Sequence, residues 1–404
     1  MADTPSSPTL PALFTEDFGD FTPTVSSLAN TLTATAAARD KAGGTALAER
    51  QLLRDSGLLT LAVPAAFGGQ GAPWPLIMRM VRRLAQADSS LAHLFGFQHL
   101  QVASVLLFGS PAQQDRWLGA TVAQRWFWGN AVNARDTRLQ VTRTDGGWLL
   151  DGIKAFCSGA QDSDVLNVSV ATGPKPTDRL YLVLPTHRAG IQVNADWDNM
   201  GQRQTDSGSV AFHQVFAADH EVLGPPGAAS SPRATLRNIL GQMVLTEIYL
   251  GNAQGALVEA IAYARTQTQP WVMAGVDRTV DDPLLQLRTG EMWATLRAVL
   301  ALAEEANAAF QQAWDLGLDL NDAQRGEVGM LVAAARTMAA RAALQITSQI
   351  FELMGARATA ARYGFDRYWR NVRVHTLHDP VDYRSKEMGR WLFTAEPPNP
   401  YGYG

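Results

Sequence analysis

Three segments beyond residue 234 constrain the fold of this chain more than anything else in it. "TLRNILGQMVLTEIYLGNAQGALVEAIAYART" (235–266), "DPLLQLRTGEMWATLRAVLALAEEANAAFQQAWDLG" (282–317) and "NDAQRGEVGMLVAAARTMAARAALQITSQIFELMGA" (321–356) are rich in alanine and leucine. Each is far longer than the ~11–12 residues of an ordinary globular helix. Asp282-Pro283 and Asn321-Asp322 read as helix starts, because a short polar side chain can accept from the free N–H groups of a first turn and proline needs no donor there. Long helices with short connections bury their apolar faces against one another, so this part should form an antiparallel four-helix bundle.

What precedes the bundle has a different texture. From "WFWGNAVN" (126–133) onward the chain reads as short strands: "LQVTRTDGGWLLDG" is a hairpin turning at Asp145-Gly146-Gly147, and "DVLNVSVATG", "RLYLVLP" and "GSVAFHQVFA" are further strands between turn signals. A small antiparallel barrel or sandwich is expected. Before it, the chain is helical. Segments end at Gly43-Gly44 and Gly57; Ile77, Val81 and Leu84 form a stripe with Arg79, Arg82 and Arg83 turned away; "SLAHLFGFQHLQVASVLLFG" is apolar nearly all round; and Ser110-Pro111 opens another helix. The expected class is α+β, with an N-terminal helical domain over 1–125, a middle β domain over 126–228 and a C-terminal helical bundle over 229–404.

Composition narrows the function classes. A net charge of −4 gives no long-range attraction for nucleic acid or an anionic membrane. The lone Cys157 excludes internal disulfides and multi-cysteine metal sites. Only 18% of residues are charged against 46% hydrophobic, which suggests surface covered by other subunits. The proline-rich, acidic N-terminus lacks the basic-then-apolar pattern of a signal peptide, and no run holds the ~18 apolar residues of a membrane span, so a cytoplasmic protein is expected.

The stretch "HTLHDP" (375–380) is where chemistry concentrates. His375 and His378 with Asp379 admit three readings: a metal site, a proton-handling site, or a polar helix end. A metal needs three or four ligands, and His-x-x-His gives two while the other five histidines are scattered. No metal is expected. Histidine suits proton handling because its ordinary pKa lies near neutrality, and Asp-Pro also commonly marks a turn. His93 lies on the apolar helix, where a hydrogen-bonded core role is the usual one. "KAFCSGA" places Phe156 and Ser158 around a Ser-Gly turn, with Cys157 expected to be a buried thiol. The aromatic residues at 126–128 suit a core, or the walls of an aromatic ligand's site.

The order of helices, small β region and long bundle resembles the acyl-CoA dehydrogenase superfamily, whose flavin lies between the β domain and the bundle. "DGIKAFCSGAQDSD" is similar to the segment that brings a Ser or Thr hydroxyl, here Ser158, to the flavin N5 edge. "GQRQTDSGSVAFHQVFA" is similar to the segment that shapes the substrate side, here through Thr205. "RYGFDRYWRNVRVHTLHDP" resembles the final stretch, in which the family's catalytic glutamate falls on Asp379. That residue is one methylene shorter, and the family's Thr-Glu-Pro strand is replaced by "WFWGNAVNARDTR".

Together "SSLAHLFGFQH", "WGNA", "KAFCSGA", "RQTDSGS", "RYGFDRYWRNVR" and "HTLHDPVDY" resemble a narrower branch, the dibenzothiophene monooxygenases, which are two-component flavin enzymes. The resemblance implies reduced FMN supplied by a separate NAD(P)H-flavin reductase, addition of O2 at the flavin C4a carbon, and oxygen transfer from the hydroperoxide to the sulfur of an aromatic organosulfur compound. It implies catalytic roles for His93, Asn130, Ser158, His378 and Asp379, with Asp379 orienting His378. Asn130, Phe156, Ser158, Arg265, His375 and His378 would bind the cofactor, and Phe97, Trp128, Trp197 and Thr205 the substrate. Phe97 stands where the branch carries a tyrosine, and the loop after Asn130 is shorter than a lid of that branch. A homotetramer is implied, in which Arg265 grips the flavin phosphate of a neighbouring subunit. Two alternatives remain: an acyl-CoA dehydrogenase-type enzyme with tightly bound FAD and Asp379 as base, or a non-catalytic flavin-binding protein.

Overall fold

In the computed structural model the described residues are 14 and 16–401, except 176 and 226. The proline-rich N-terminal segment lies almost wholly outside them. Five helices come first: α1 (Thr22–Ala42), α2 (Leu47–Asp55), α3 (Trp74–Ala87), α4 (Ser89–Phe108) and α5 (Pro111–Gln124). Local chemistry sets their ends. Gly43 closes α1 at φ 67, and Asp88 caps α4 by accepting from the N–H groups of Ser90 and Leu91. Ser110 and Gln113 form a reciprocal capping box at the start of α5.

Seven strands follow: β1 (Trp128–Ala131), β2 (Gln140–Thr144), β3 (Gly147–Lys154), β4 (Val165–Ala171), β5 (Arg179–Pro185), β6 (Ile191–Val193) and β7 (Val210–Ala218). The expected hairpin is β2–β3, with Thr144 opposite Gly147. The strands differ from a wholly antiparallel barrel in two respects. They form two sheets, ordered β1-β4-β5 and β2-β3-β7-β6. The β1–β4 pair is also parallel, with Asn130 beside Asn167. A four-residue strand such as "WGNA" carries too little alternation to reveal its partner. Residues of β1 and β4 alternate between two cores: Trp128 and Val165 face the helices, whereas Ala131, Leu166 and Val168 face the space between the sheets.

The C-terminal part holds α6 (Pro232–Gln267), α7 (Pro283–Asp315) and α8 (Asp322–Met354), then the shorter α9 (Asp366–Thr376) and α10 (Val381–Thr394). Asp282 and Asn321 are the N-caps expected from sequence. Three helices of this bundle are long, and α9 and α10 complete it against α8. One hydrophobic core joins α3, α4 and α5 to residues of α6, α7 and α8, so the N-terminal helices share their core with the bundle. This sharing corrects the reading of the α3 arginines. Arg82 is buried, and its guanidinium bonds Glu16, Glu247 on α6 and Glu304 on α7. Helix α4 also corrects the membrane reading: its length and hydropathy satisfy the test for a span. It runs through the interior, with most of its surface buried by protein, and burial on all sides requires the same composition.

Candidate active site

Helix α4 is the spine of the site. His93, Phe97, Gln101 and Ser104 recur at spacings of four, four and three and therefore share one face. The His93 ring stacks on Phe97 with centroids 4.0 Å apart and lies 4.9 Å from the His375 ring at the end of α9. The His375 carbonyl accepts from the His378 N–H at 3.0 Å, in the turn leading to α10. His93 is 6% exposed and neither ring nitrogen is hydrogen-bonded; Nδ1 of His375 is likewise buried and unbonded. Burial drives the His93 pKa down to about 3, with the neighbouring His378 adding to the effect. Burial also holds His375 well below its ordinary value, reinforced by His93, His378 and Arg336. His378 has an exposed surface, yet desolvation by the surrounding wall and the Arg336 charge lower it to about 4, opposed by Asp379. Three neutral imidazoles therefore meet here at physiological pH.

The middle domain supplies the opposite wall. Its Asn130 N–H donates to the Ser158 carbonyl at 3.0 Å, and the Asn130 side-chain amide approaches the Phe156 carbonyl at 3.5 Å. Gly159, at φ +73, passes so close to Leu94 of α4 that an added Cβ would lie 3.2 Å from it. Three non-glycine residues in the surrounding loops adopt positive φ: Phe156 at 60°, Gln202 at 53° and Asp206 at 38°. Such strain persists only where neighbours over-determine it. Here the buried Arg50 pairs with Asp206 at 2.7 Å, Gly159 N–H donates to Asp206, and Asn371 Oδ1 accepts from Gln202 N–H at 2.6 Å. The result is a Phe156 side chain 57% exposed, edge-on to the half-buried Trp197 at 6.0 Å.

Ser158 heads a chain of hydroxyls with a fixed sense. Thr205 Oγ1 donates to the Gln202 carbonyl at 2.9 Å, Ser207 Oγ donates to Thr205 Oγ1 at 2.8 Å, and the Ser158 and Ser207 oxygens lie 2.7 Å apart. A carbonyl can only accept, and Ser207 has spent its one proton on Thr205. Ser158 must therefore donate to Ser207, which leaves its lone pairs for the open side. The sequence presents Ser158 as donor or acceptor alike; its neighbours make it an acceptor.

Several expected residues are placed differently. Trp128 is buried among the N-terminal helices, with its indole N–H on Thr121 of α5 at 3.0 Å, so it is a core residue and not a wall of the site. Thr205 acts through the hydroxyl chain, and Trp197 donates to the same Gln202 carbonyl at 2.8 Å. Arg265 lies away from the histidines, at an open, mostly apolar pocket of about 600 Å³ between the end of α6 and the start of α7, with Trp293 and Leu353. Asp379 is buried, and its Oδ2 is held by Arg336 at 3.0 Å and Arg384 at 2.7 Å. That double ion pair balances its charge within the protein, so no free carboxylate base stands here and the dehydrogenase alternative loses its base. Among the described residues, no group of three or more His, Cys, Asp or Glu is set to hold a metal. Cys157 is buried, with its thiol pushed up to about 12, mainly by desolvation.

Family models for acyl-CoA dehydrogenases match in three consecutive parts: the N-terminal domain over residues 15–125, the middle domain over 128–215 and the C-terminal domain over 243–383. The chain belongs to the acyl-CoA dehydrogenase family. Within that family it is 44% identical to a dibenzothiophene monooxygenase of Mycolicibacterium goodii, over 90% of this chain and 91% of the relative. It is 43% identical to the probable FMNH2-dependent monooxygenase SfnC of Pseudomonas putida, over 93% and 95% of the two chains. The solved structure of methanesulfinate monooxygenase MsuC from Pseudomonas fluorescens superposes with a TM-score of 0.91 at 41% identity, covering 98% of this chain and all of that one. All three of these relatives are named as monooxygenases.

Sequence reasoning missed Gln101, Gln202, Arg336, Arg384 and Tyr249, whose ring lies 6.2 Å from that of His375. Gln101 was within reach, four residues beyond Phe97 on the same face. Arg336 and Tyr249 lie on long helices with many other polar residues, where nothing marks one of them as facing the site.

Proposed function

We propose that the chain is a reduced-flavin-dependent monooxygenase that takes FMNH2 from a separate NAD(P)H-flavin reductase and O2 from solution, and oxygenates the sulfur of an organosulfur compound. Two relatives are named as FMNH2-dependent and dibenzothiophene monooxygenases, and the structural neighbour as a methanesulfinate monooxygenase. The observation that carries the reading is the hydroxyl chain ending at Ser158. It leaves an acceptor two residues from the exposed Phe156 ring, which fits the N–H edge of a reduced isoalloxazine and not the bare N5 of an oxidised one.

The residues fit FMN in other respects. Phe156 and the half-buried Trp197 leave flat apolar surface uncovered, and His93 and His375 carry buried ring nitrogens without partners. Reduced FMN, when bound, supplies the two electrons and the carbon that activates O2. The protein supplies the rest. Ser158 would orient the ring through its N–H edge. His378, neutral and partly open to solvent, would hold or deliver a proton at the reacting oxygen, with His93 and His375 as uncharged neighbours. Phe97 and the buried face of α4 would exclude water from the substrate. Asp379 holds the α9–α10 turn to Arg336 on α8, which fixes where His378 stands. A cytoplasmic homotetramer completes the proposal: Trp271, Met273 and Phe393 are large and highly exposed, and Arg265 stands beside the apolar pocket, where it would meet a neighbouring subunit's flavin phosphate.

Anaerobic titration of flavin-free protein with FMNH2 and with FMN, followed by mixing with aerated organosulfur substrate and product analysis, tests the reading. Tighter binding of the reduced form and an oxygenated sulfur product are expected. Stoichiometric FAD surviving gel filtration, together with flavin bleaching by an acyl-CoA, would overturn it.

A further inference from the structure

The loop joining β1 to β2 (132–139) begins two residues after Asn130, and the side chains of Arg135, Thr137 and Arg138 on it are exposed. Its backbone is firmly held. Lys154, the last residue of β3, is 1% exposed, and its ammonium donates to the Asn133 carbonyl at 2.7 Å and to the Asp136 carbonyl at 2.8 Å. Asp136 answers from the loop: its Oδ2 accepts from the Ala155 N–H at 2.8 Å, while Arg138 donates to its two carboxylate oxygens at 2.9 and 2.7 Å. On the other side, Arg179 of β5 donates to the Ala134 carbonyl at 3.1 Å, and Ser169 of β4 to the Val132 carbonyl at 3.0 Å. Gly152 of β3, at φ +124, passes so close to the Arg138 carbonyl that an added Cβ would lie 2.3 Å from it.

The carbonyls of residues 132, 133, 134 and 136 are thus each taken by a side chain from β3, β4 or β5. Burial and the Arg179 charge bring the Lys154 pKa down to about 8, with Asp136 opposing, so the ammonium still carries its charge at neutral pH. A buried charge is costly unless it is bonded. Segments that open and close come from the least stable parts of a fold, and a loop whose opening strands a buried ammonium is not one of these.

What the loop brings to the site is Arg135. The charges acting on His378 come from Arg336 on α8, Arg384 on α10, the adjacent Asp379, and Arg135. The uncharged rings of His93 on α4 and His375 on α9 complete its surroundings. Of these groups, Arg135 alone comes from the middle domain.

We propose that Lys154 is a positioning residue: it holds the β1–β2 loop as a fixed wall of the site, not as a lid, and thereby sets Arg135 where its charge acts on His378. The inference rests on the monooxygenase reading above only for the reaction that His378 serves. Substrate and solvent then reach His378 without any opening of this loop, which agrees with the exposed surface of that residue.

Limited digestion of the flavin-free protein with trypsin at pH 7 reads the hold on the loop. Arg135 and Arg138 are exposed cleavage points, yet cutting there requires the backbone to open, so the rate follows the population of the opened loop. The folded native protein should resist cleavage at both. Lys154→Met keeps a buried apolar stem and removes the donors. It should speed cleavage after Arg135 or Arg138 by roughly 10- to 100-fold, the worth of a charge-assisted hydrogen bond. Arg179→Met, which releases the Ala134 carbonyl, should give a smaller rise, and it carries the test if the first variant does not fold.

The link to the site is read by NMR titration of the His378 ring, identified as the histidine signal lost in His378→Asn. Removing the Arg135 charge makes the protonated imidazole less unfavourable, so in Arg135→Gln the pKa of His378 should rise from about 4. It should rise in Lys154→Met as well, and in the double variant no further than in Arg135→Gln, because Lys154 acts through Arg135. A native loop cut as readily as that of Lys154→Met would be a mobile lid and would overturn the proposal. So would a His378 pKa that Arg135→Gln leaves unchanged, or shifts that add in the double variant. If the loop and the titrations behave as expected but the native protein oxygenates no organosulfur compound, the monooxygenase reading falls and the role of Lys154 stands.

Discussion

The His93 and His375 rings lie 4.9 Å apart on two helices that are 282 positions apart in sequence at those residues, and His93 has no hydrogen bond on either nitrogen. Buried imidazoles left unbonded at close range are costly to a fold. Their convergence with His378 marks this point as a place where stability has been given up for chemistry.

His378 is the member with an open face, so replacing it should affect turnover more than folding. His378→Asn keeps a polar side chain of smaller volume. It should reduce oxygenated product formation by roughly 10²–10⁴-fold, the range for a positioned acid–base group, with the melting temperature nearly unchanged. Rapid-quench product analysis alongside thermal melts checks both, and unaltered turnover would remove His378 from the chemistry.

The acceptor role of Ser158 predicts an asymmetry between flavin redox states. Ser158→Ala should weaken FMNH2 binding by about 3- to 10-fold, the worth of a neutral hydrogen bond, and leave oxidised FMN nearly unaffected. H2O2 released per NADH should rise. Thr205→Val cuts the same chain two links back, and it frees Ser207 and then Ser158 to turn. It should produce a smaller loss of the same sign. Equal losses for both redox states would show that the chain does not set the direction of Ser158.

Most of the architecture was legible because long periodic segments and helix caps are local signals: Asp282, Asn321 and Ser110 cap the helices expected of them. The parallel pairing of β1 with β4 was not legible, because four residues cannot specify a partner. At the site, the residues on short motifs could be singled out: the structure groups His93, Phe97, His375 and His378, and groups Asn130 with Phe156 and Ser158, the second group bonded to α4 through Gln101. What sequence could not supply was direction. Trp128 looks like a possible aromatic wall, but strand alternation turns it into the helical core. Asp379 reads as a free carboxylate until two arginines, from α8 and α10, are seen to hold it. Arg82 seems solvent-facing on its own helix because the three glutamates around it come from elsewhere in the chain.

Arg336 ties this electrostatic setting to pH. Its charge depresses both His378 and His375. Removing that charge makes the protonated imidazole less unfavourable, so the pKa of His378 should rise from about 4 towards its ordinary value. Arg336→Gln should therefore move the acid limb of the pH–turnover profile to higher pH. Arg384 remains to hold Asp379, which limits the loss from breaking a buried pair. An acid limb at the native position would show that the limb belongs to another group.

Acid sensitivity of the fold itself should trace in part to His99, which lies on α4 outside the cluster. It is fully buried, edge-on to Phe95 at 4.7 Å, with neither nitrogen bonded, and burial alone lowers its pKa to about 3. In the unfolded chain the imidazole takes up a proton below about pH 6.5, and in the folded state it does not until about pH 3. The unfolded state binds more protons across that window, so stability is intact above about pH 6.5 and falls as pH is lowered. By linkage, this one group should account for about 2 kcal/mol between pH 8 and pH 5. His99→Leu removes the titration and keeps an apolar side chain against Phe95. Denaturant unfolding of the two proteins at pH 8 and pH 5 should show the variant gaining relative to the native chain as pH falls. A stability difference independent of pH would mean that His99 finds a proton acceptor in the folded state.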